Sequence, residues 1–202
     1  DRKNIKINDY SGWLLSTSTC CSYINSILKF FIEKNNYVNL HDIILSPYFM
    51  PDLSLSEKNI FLRNSYLFQK DNIDAGLDNF ISNRINIDNN LTKLFISPID
   101  KTELYTFLHF KTILIDLLIN FNSQKDINND DAGKEFYKAI KFMEDIHRKN
   151  SKKFLYSIWY KKLMTYLESK TFQIPVNSKI YYTDIKHALL YNFDKIYINS
   201  LS

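Results

Sequence analysis

Apolar residues recur along most of this chain at the three- and four-residue intervals of a helix. Ile24, Ile27, Leu28, Phe31 and Ile32 follow that spacing, with Trp13, Leu14 and Tyr23 before them, and predict a helix over 12–34 that Asn35-Asn36 ends. A short helical piece is expected over 37–45. Pro47 and Pro51 then bracket an irregular stretch at 46–53, because a residue before proline is pushed out of helical geometry. Ser54-Leu55-Ser56-Glu57 has the spacing of a capping box, in which the serine and the glutamate each take one backbone N–H of the first turn. It opens a helix to about residue 69. Ile73, Leu77, Phe80, Ile81 and Ile85 outline another, from 71 or 74 to 86, and a short apolar segment follows at 91–96.

Ser97-Pro98-Ile99-Asp100 is the strongest start signal in the chain, with a capping serine, proline at the first helical position and an acid in the first turn. The helix it predicts runs to about 122. Its second half is apolar nearly all round, which places it at the centre of the fold. Residues 123–130 read as a polar linker. A helix over 131–147 shows its core face through Phe136, Ile140, Met143 and Ile146, with Phe142 off the stripe. Asn150 or Ser151 caps the next, to about 170, through Phe154, Leu155, Ile158, Trp159, Leu163, Tyr166 and Leu167. Pro175 breaks the pattern, and Thr183 or Asp184 opens a last helix. The expectation is an all-α chain of about seven to eight helices, forming a single domain over 1–202.

Composition narrows the classes. With 202 residues, 45% hydrophobic and 15% aromatic, the chain can bury a substantial core and is not a disordered tail. Three glycines and four prolines are too few for a many-turned β architecture. A net charge of +4 is short of a nucleic-acid-binding extreme. Cys20 and Cys21 are the only cysteines; being adjacent, they cannot staple distant segments, and a reducing compartment is expected. The longest apolar run, 113–121, is interrupted by Asp116 and Asn120 and is far below the ~20 residues of a membrane span. The chain opens at Asp1 rather than Met and reads as a trimmed product of a longer protein, any anchor lying outside it.

Candidate chemistry is sparse. His41, His109, His147 and His187 are widely separated, and none has a partner at metal-ligand spacing beyond the half-motif Glu144/His147. There is no phosphate-binding glycine loop and no nucleophile elbow. No cofactor, metal or catalytic residue is expected, and the two cysteines read as packing residues. The densest basic stretch, His147, Arg148, Lys149, Lys152 and Lys153 with Lys161, Lys162 and Lys170, reads first as a solvated helix face and second as a patch for nucleic acid or anionic lipid. Asp116, on the most apolar helix, is expected either to have a basic partner in the interior or to face a cleft.

Three segments between residues 104 and 172 resemble, in order and spacing, motifs of the DotU/TssL (IcmH-like) family of type VI and type IVB secretion. Leu114-Ile115-Asp116 resembles the end of the family's apolar helix, with Leu117 where the family has an acid. Ala132-Gly133-Lys134-Glu135-Phe136-Tyr137 resembles its small-Gly-Glu-x-Phe-Phe motif, with Lys134 in the usual Glu place. Tyr160, Leu163, Leu167, Glu168, Ser169 and Lys170 track the third motif, with Tyr166 and Ser169 in place of its glycines.

The resemblance implies two three-helix bundles forming a hook with a cleft between them. It implies a non-enzymatic component of a bacterial inner-membrane complex, with this domain in the cytoplasm and held by a C-terminal anchor absent from this sequence. The implied partners are a large inner-membrane protein of the IcmF/TssM type and baseplate proteins, with a possible homo-oligomer and no nucleic acid. Asp116, Glu168 and Lys170 are the expected partner-binding residues at the cleft, and Phe136 and Tyr137 the packing residues that set the bundle angle. The alternatives are a soluble helical adaptor or secreted effector, and a basic helical nucleic-acid-binding domain.

Overall fold

The structure, a computed structural model, describes residues 8–9, 13–33, 37–71, 92–148, 152–172 and 181–182. The helices expected to end at 86 and to begin at 183 or 184, the Asn35-Asn36 stop, the break at Pro175 and the caps at Asn150 or Ser151 lie outside the described residues. The chain divides into two compact units. One comprises Asp1–Trp13 with Thr171–Ser202. Within it Asn8–Asp9 pairs in parallel with Tyr181–Tyr182.

The other, Leu14–Lys170, holds seven helices among the described residues: α1 Thr19–Ile32, α2 Tyr37–Leu45, α3 Leu55–Asp71, α4 Phe107–Asn120, α5 Gln124–Asn129, α6 Asp131–His147 and α7 Tyr156–Glu168. Helix accounts for 70% of the described residues, and the strands are two-residue pieces, so the fold is predominantly α.

Several helix starts are set by a polar side chain that reaches the first-turn amides. At α1 it is Ser18, whose Oγ accepts from the Cys21 N–H at 3.1 Å, so the helix begins at Thr19 and not at residue 12 as expected. Trp13 and Leu14 are extended and exposed, and Leu15–Thr17 forms a 3-10 turn. At α3 the expected box is present: Ser54 N–H donates to Glu57 Oε2 at 2.9 Å, and Glu57 N–H donates to Ser54 Oγ at 3.3 Å. The α4 start differs from expectation by nine residues, with the cap at Thr106 and not at Ser97. Asp100 Oδ1 accepts from Thr102 N–H and Oγ1 at 2.8 and 2.7 Å, and Ser97 Oγ accepts from Ile99 N–H at 3.2 Å. Both side chains close local turns instead of capping a helix. Leu104–Tyr105 then pairs antiparallel with Phe154–Leu155, and Thr106 becomes the cap, accepting from His109 N–H at 3.2 Å. The same pairing holds Phe154 and Leu155 out of α7, which begins at Tyr156.

The expected polar linker at 123–130 contains α5, whose Ile127 is buried. It lies so close to α6 that a Cβ on Gly133 would fall 1.9 Å from the Ile127 carbonyl oxygen, so only glycine fits there.

The central helix is α1 rather than α4. Nine of the fourteen α1 residues are buried, against α2, α6 and α7, whereas six of fourteen are buried in α4. Two aromatic nuclei fill the interior. Phe95, on the 3-10 turn Thr92–Phe95, meets Phe30, Phe49, Phe61 and Phe121 at ring separations of 5.3 to 6.0 Å. Trp159 meets Phe107, Phe154 and His147 and donates its Nε1–H to the Tyr105 carbonyl at 2.8 Å.

Candidate functional site

Two outer faces carry unusual chemistry. The first is on α4. Phe107, Phe110, Ile113, Leu114, Leu117 and Leu118 go inward, so residues nearly half a turn away must face out. Those are Leu108, Thr112 and Ile119, with Ile115 half-buried at the edge. The spacing i, i+4, i+7, i+11 makes one stripe, along which Leu108 is 59% and Ile119 51% exposed. A helix this apolar on its outer face normally has something against it. Lys111, at the border, pins α4 to α6 through an ion pair with Glu144 at 2.7 Å, both side chains half-buried.

The second face is formed by α7 with the end of α6. Phe142, 47% exposed, stacks on Tyr166 with centroids 5.1 Å apart and planes 16° apart. Lys170 Nζ lies 4.9 Å from the Tyr166 centroid. Lys162 Nζ sits over Phe154 at 4.1 Å and Trp159 at 5.0 Å. Ile158, Lys161, Lys162, Thr165, Tyr166 and Ser169 line a depression of about 460 Å³ along this face. His147 packs edge-on against Trp159 at 4.8 Å, and burial, with Lys162 adding to it, lowers its pKa below 6.5.

Asp116 is exposed beside the α4 stripe and, among the described residues, makes no ion pair, so the basic partner that was one of its two expected settings is not found; a half-turn of helix separates it from the core residues Leu114 and Leu118. Glu168 closes α7 and Lys170 follows it, both exposed. Among the described residues no ion pair or hydrogen bond joins these three to one another. Phe136 is fully buried, with Tyr137 tilted against it at 5.4 Å and its phenol pushed up to about 12 by burial. Ile146, expected in the core, is 53% exposed, because α6 turns that edge outward beside Phe142.

Cys20 and Cys21 are free, fully buried thiols, and a hydrogen bond between them, followed by burial, raises the Cys20 pKa. Glu144 is taken by Lys111 and His147 by aromatic rings, so the two do not converge. Among the described residues no three His, Cys, Asp or Glu side chains are grouped as metal ligands. No described helix is long and apolar enough to cross a membrane.

Sequence reasoning missed Lys58. It is buried, its Nζ donates to the Phe49 carbonyl at 2.5 Å and the Ser46 carbonyl at 3.4 Å, and burial lowers its pKa. No local signal marks it, since the carbonyls belong to a turn whose path only the fold sets. The Phe142–Tyr166 stack was equally hidden, although Phe142 was already off the core stripe.

Comparison with protein families, with curated proteins and with solved structures finds no match for this chain.

Proposed function

We propose that this chain is a protein-docking helical domain, and specifically a non-enzymatic component of a bacterial type VI secretion membrane complex. The observation that carries the docking part is α4, which presents Leu108 and Ile119 to solvent in one stripe, with Ile115 half-buried at its edge, while its opposite side anchors the core. Exposed apolar residues aligned along one helix face are the pattern that helix-in-groove contacts use. The secretion part rests on the motif order along 104–172. In this reading the helices fall into two three-helix bundles with a cleft between them, and Asp116, Glu168 and Lys170 contribute to partner contacts. The domain works in the cytoplasm, at the inner membrane, against a large membrane protein of the IcmF/TssM type and baseplate subunits.

The test is affinity purification of the tagged full-length protein from detergent-solubilised membranes of its own cells, beside a Leu108→Glu/Ile119→Glu variant. Retention of a large integral inner-membrane protein by the parent and its loss from the equally folded variant is the expected result. Capture of soluble proteins alone would replace the secretion reading with that of a soluble adaptor. Identical capture by both forms would remove α4 as the docking surface.

A further inference from the structure

We propose that Cys20 and Cys21 act as a redox gate on folding: a disulfide between them and the native start of α1 exclude each other, so the fold forms only from the dithiol chain. The two are the only cysteines of the sequence, both are free, and they fill the second and third positions of α1. Their thiols meet through a hydrogen bond, and both residues are 0% exposed. At 3.6 residues per turn, neighbouring side chains leave a helix about 100° apart. The two Cα atoms stand about 3.8 Å apart across the peptide bond, below the roughly 4.4 Å at which disulfides ordinarily begin. Cysteines so placed can be bridged only if the backbone moves.

What moves is the first turn of α1. Ser18 Oγ caps it on the Cys21 N–H at 3.1 Å, and the Ser22 N–H donates to the Ser18 carbonyl at 2.8 Å. Tyr23, two residues on, hydrogen-bonds to Ser123 and packs against Tyr48 at 5.7 Å, whose hydroxyl donates to Asp130 at the start of α6. Unwinding the turn therefore disturbs contacts with α6 and with the turn after α2. In the folded protein the thiols are sealed from oxidants, so the bond forms before α1 folds or after it has opened. With oxidised glutathione, one cysteine thiolate attacks a glutathione sulfur and expels the first glutathione thiolate. The second cysteine thiolate then attacks the sulfur of that mixed disulfide and expels the other. Two cysteines are oxidised, one glutathione disulfide is reduced to two glutathiones, and the two thiol protons pass to the released thiolates. A chain that meets an oxidising compartment unfolded is held open, whereas one folded under reducing conditions carries its thiols out of reach. The gate is independent of what α4 docks and of the secretion assignment.

The experiment oxidises the full chain with glutathione disulfide in urea, purifies the product two hydrogens lighter than the dithiol chain, and dilutes it from urea. That product is expected to lack the native near-ultraviolet signal and amide-exchange protection over 18–24, and to regain both on addition of dithiothreitol. Cys20→Ala/Cys21→Ala is expected to refold equally well with and without the oxidant; where that variant folds poorly, recovery of the parent on reduction remains the readout. Without urea, glutathione disulfide should modify the parent's thiols about a hundredfold or more slowly than in urea. Native protection over 18–24 in the disulfide chain, no recovery on reduction, glutathione adducts without a Cys20–Cys21 bond in the unfolded chain, or equal rates with and without urea would each overturn the proposal.

Discussion

Tyr48 donates its phenolic hydrogen to Asp130 Oδ2 at 2.9 Å, while the other carboxylate oxygen accepts the Gly133 N–H at 2.9 Å. One carboxylate thus caps α6 and ties it to the turn after α2, 82 residues away in sequence. Burial, reinforced by the bond to Asp130, raises the Tyr48 pKa, so the phenol stays protonated and can keep donating. Asp130→Ala removes a cap and leaves a part-buried hydroxyl without its acceptor; the expected loss is about 2 kcal/mol, larger than the ~1 kcal/mol expected for Tyr48→Phe. Urea unfolding of both singles and the double gives the coupling energy. Additive losses would mean that the bond between them contributes nothing.

Gly133→Ala reverses the usual sign of a helix-interior substitution. Alanine ordinarily stabilises a helix by about 1 kcal/mol over glycine. Here the new methyl would sit 1.9 Å from the Ile127 carbonyl oxygen, which belongs to backbone and cannot swing aside. Overpacking of this kind costs about 1–3 kcal/mol. A lowered urea midpoint is expected, with the change in hydrogen exchange concentrated in 124–135. A stabilised variant would show that α5 and α6 are further apart than described.

Three substitutions separate core from surface on α4 and α6. Phe136 is fully buried, and Phe136→Ala is expected to cost about 3–5 kcal/mol. Phe142→Ala loses an exposed ring stacked on Tyr166 and should cost about 1 kcal/mol. Asp116→Ala should change stability by no more than about 0.5 kcal/mol, because the carboxylate is exposed. Its effect is expected in partner capture instead. A large drop in melting temperature for Asp116→Ala would return it to a structural role.

These contrasts show what the sequence made legible and where it stopped. Helices α2 and α6 stand at the expected residues; in α6 the periodicity is unbroken through Phe136, Ile140 and Met143, and the Asp130 side chain caps its start. The α4 start was misplaced because Ser97 and Asp100 carry cap chemistry that local turns use equally well. The strand pair Leu104–Tyr105 with Phe154–Leu155 decides that contest, and a partner fifty residues away leaves no trace in local spacing. Apolar periodicity also cannot tell a helix buried all round from one with an uncovered apolar stripe. That ambiguity put α4 at the centre in place of α1. Of the candidate faces, the lysines of α7 were visible as a charge run, but the aromatic rings that Lys162 and Lys170 lie over are set by the fold.

His147 provides a stability signature with a definite sign. Its ring lies between Trp159 at 4.8 Å and Phe107 at 5.7 Å, and burial, then the nearby Lys162, holds its pKa below the ordinary 6.5. Between the folded value and 6.5 the unfolded chain therefore binds more protons at this site than the folded one. Stability rises with pH across that window, is flat above it, and has lost its full increment once the pH falls below the folded value. Acidification from about pH 7.5 to about pH 5 should lower the urea midpoint of the parent, and His147→Phe, which keeps the aromatic contacts, should flatten that part of the profile. The comparison is made as a difference between the two proteins, so that carboxylates titrating lower in the range cancel. A difference curve that grew in favour of the parent on acidification would mean that His147 is charged in the folded state and paired with an acid, and would contradict its place against Trp159.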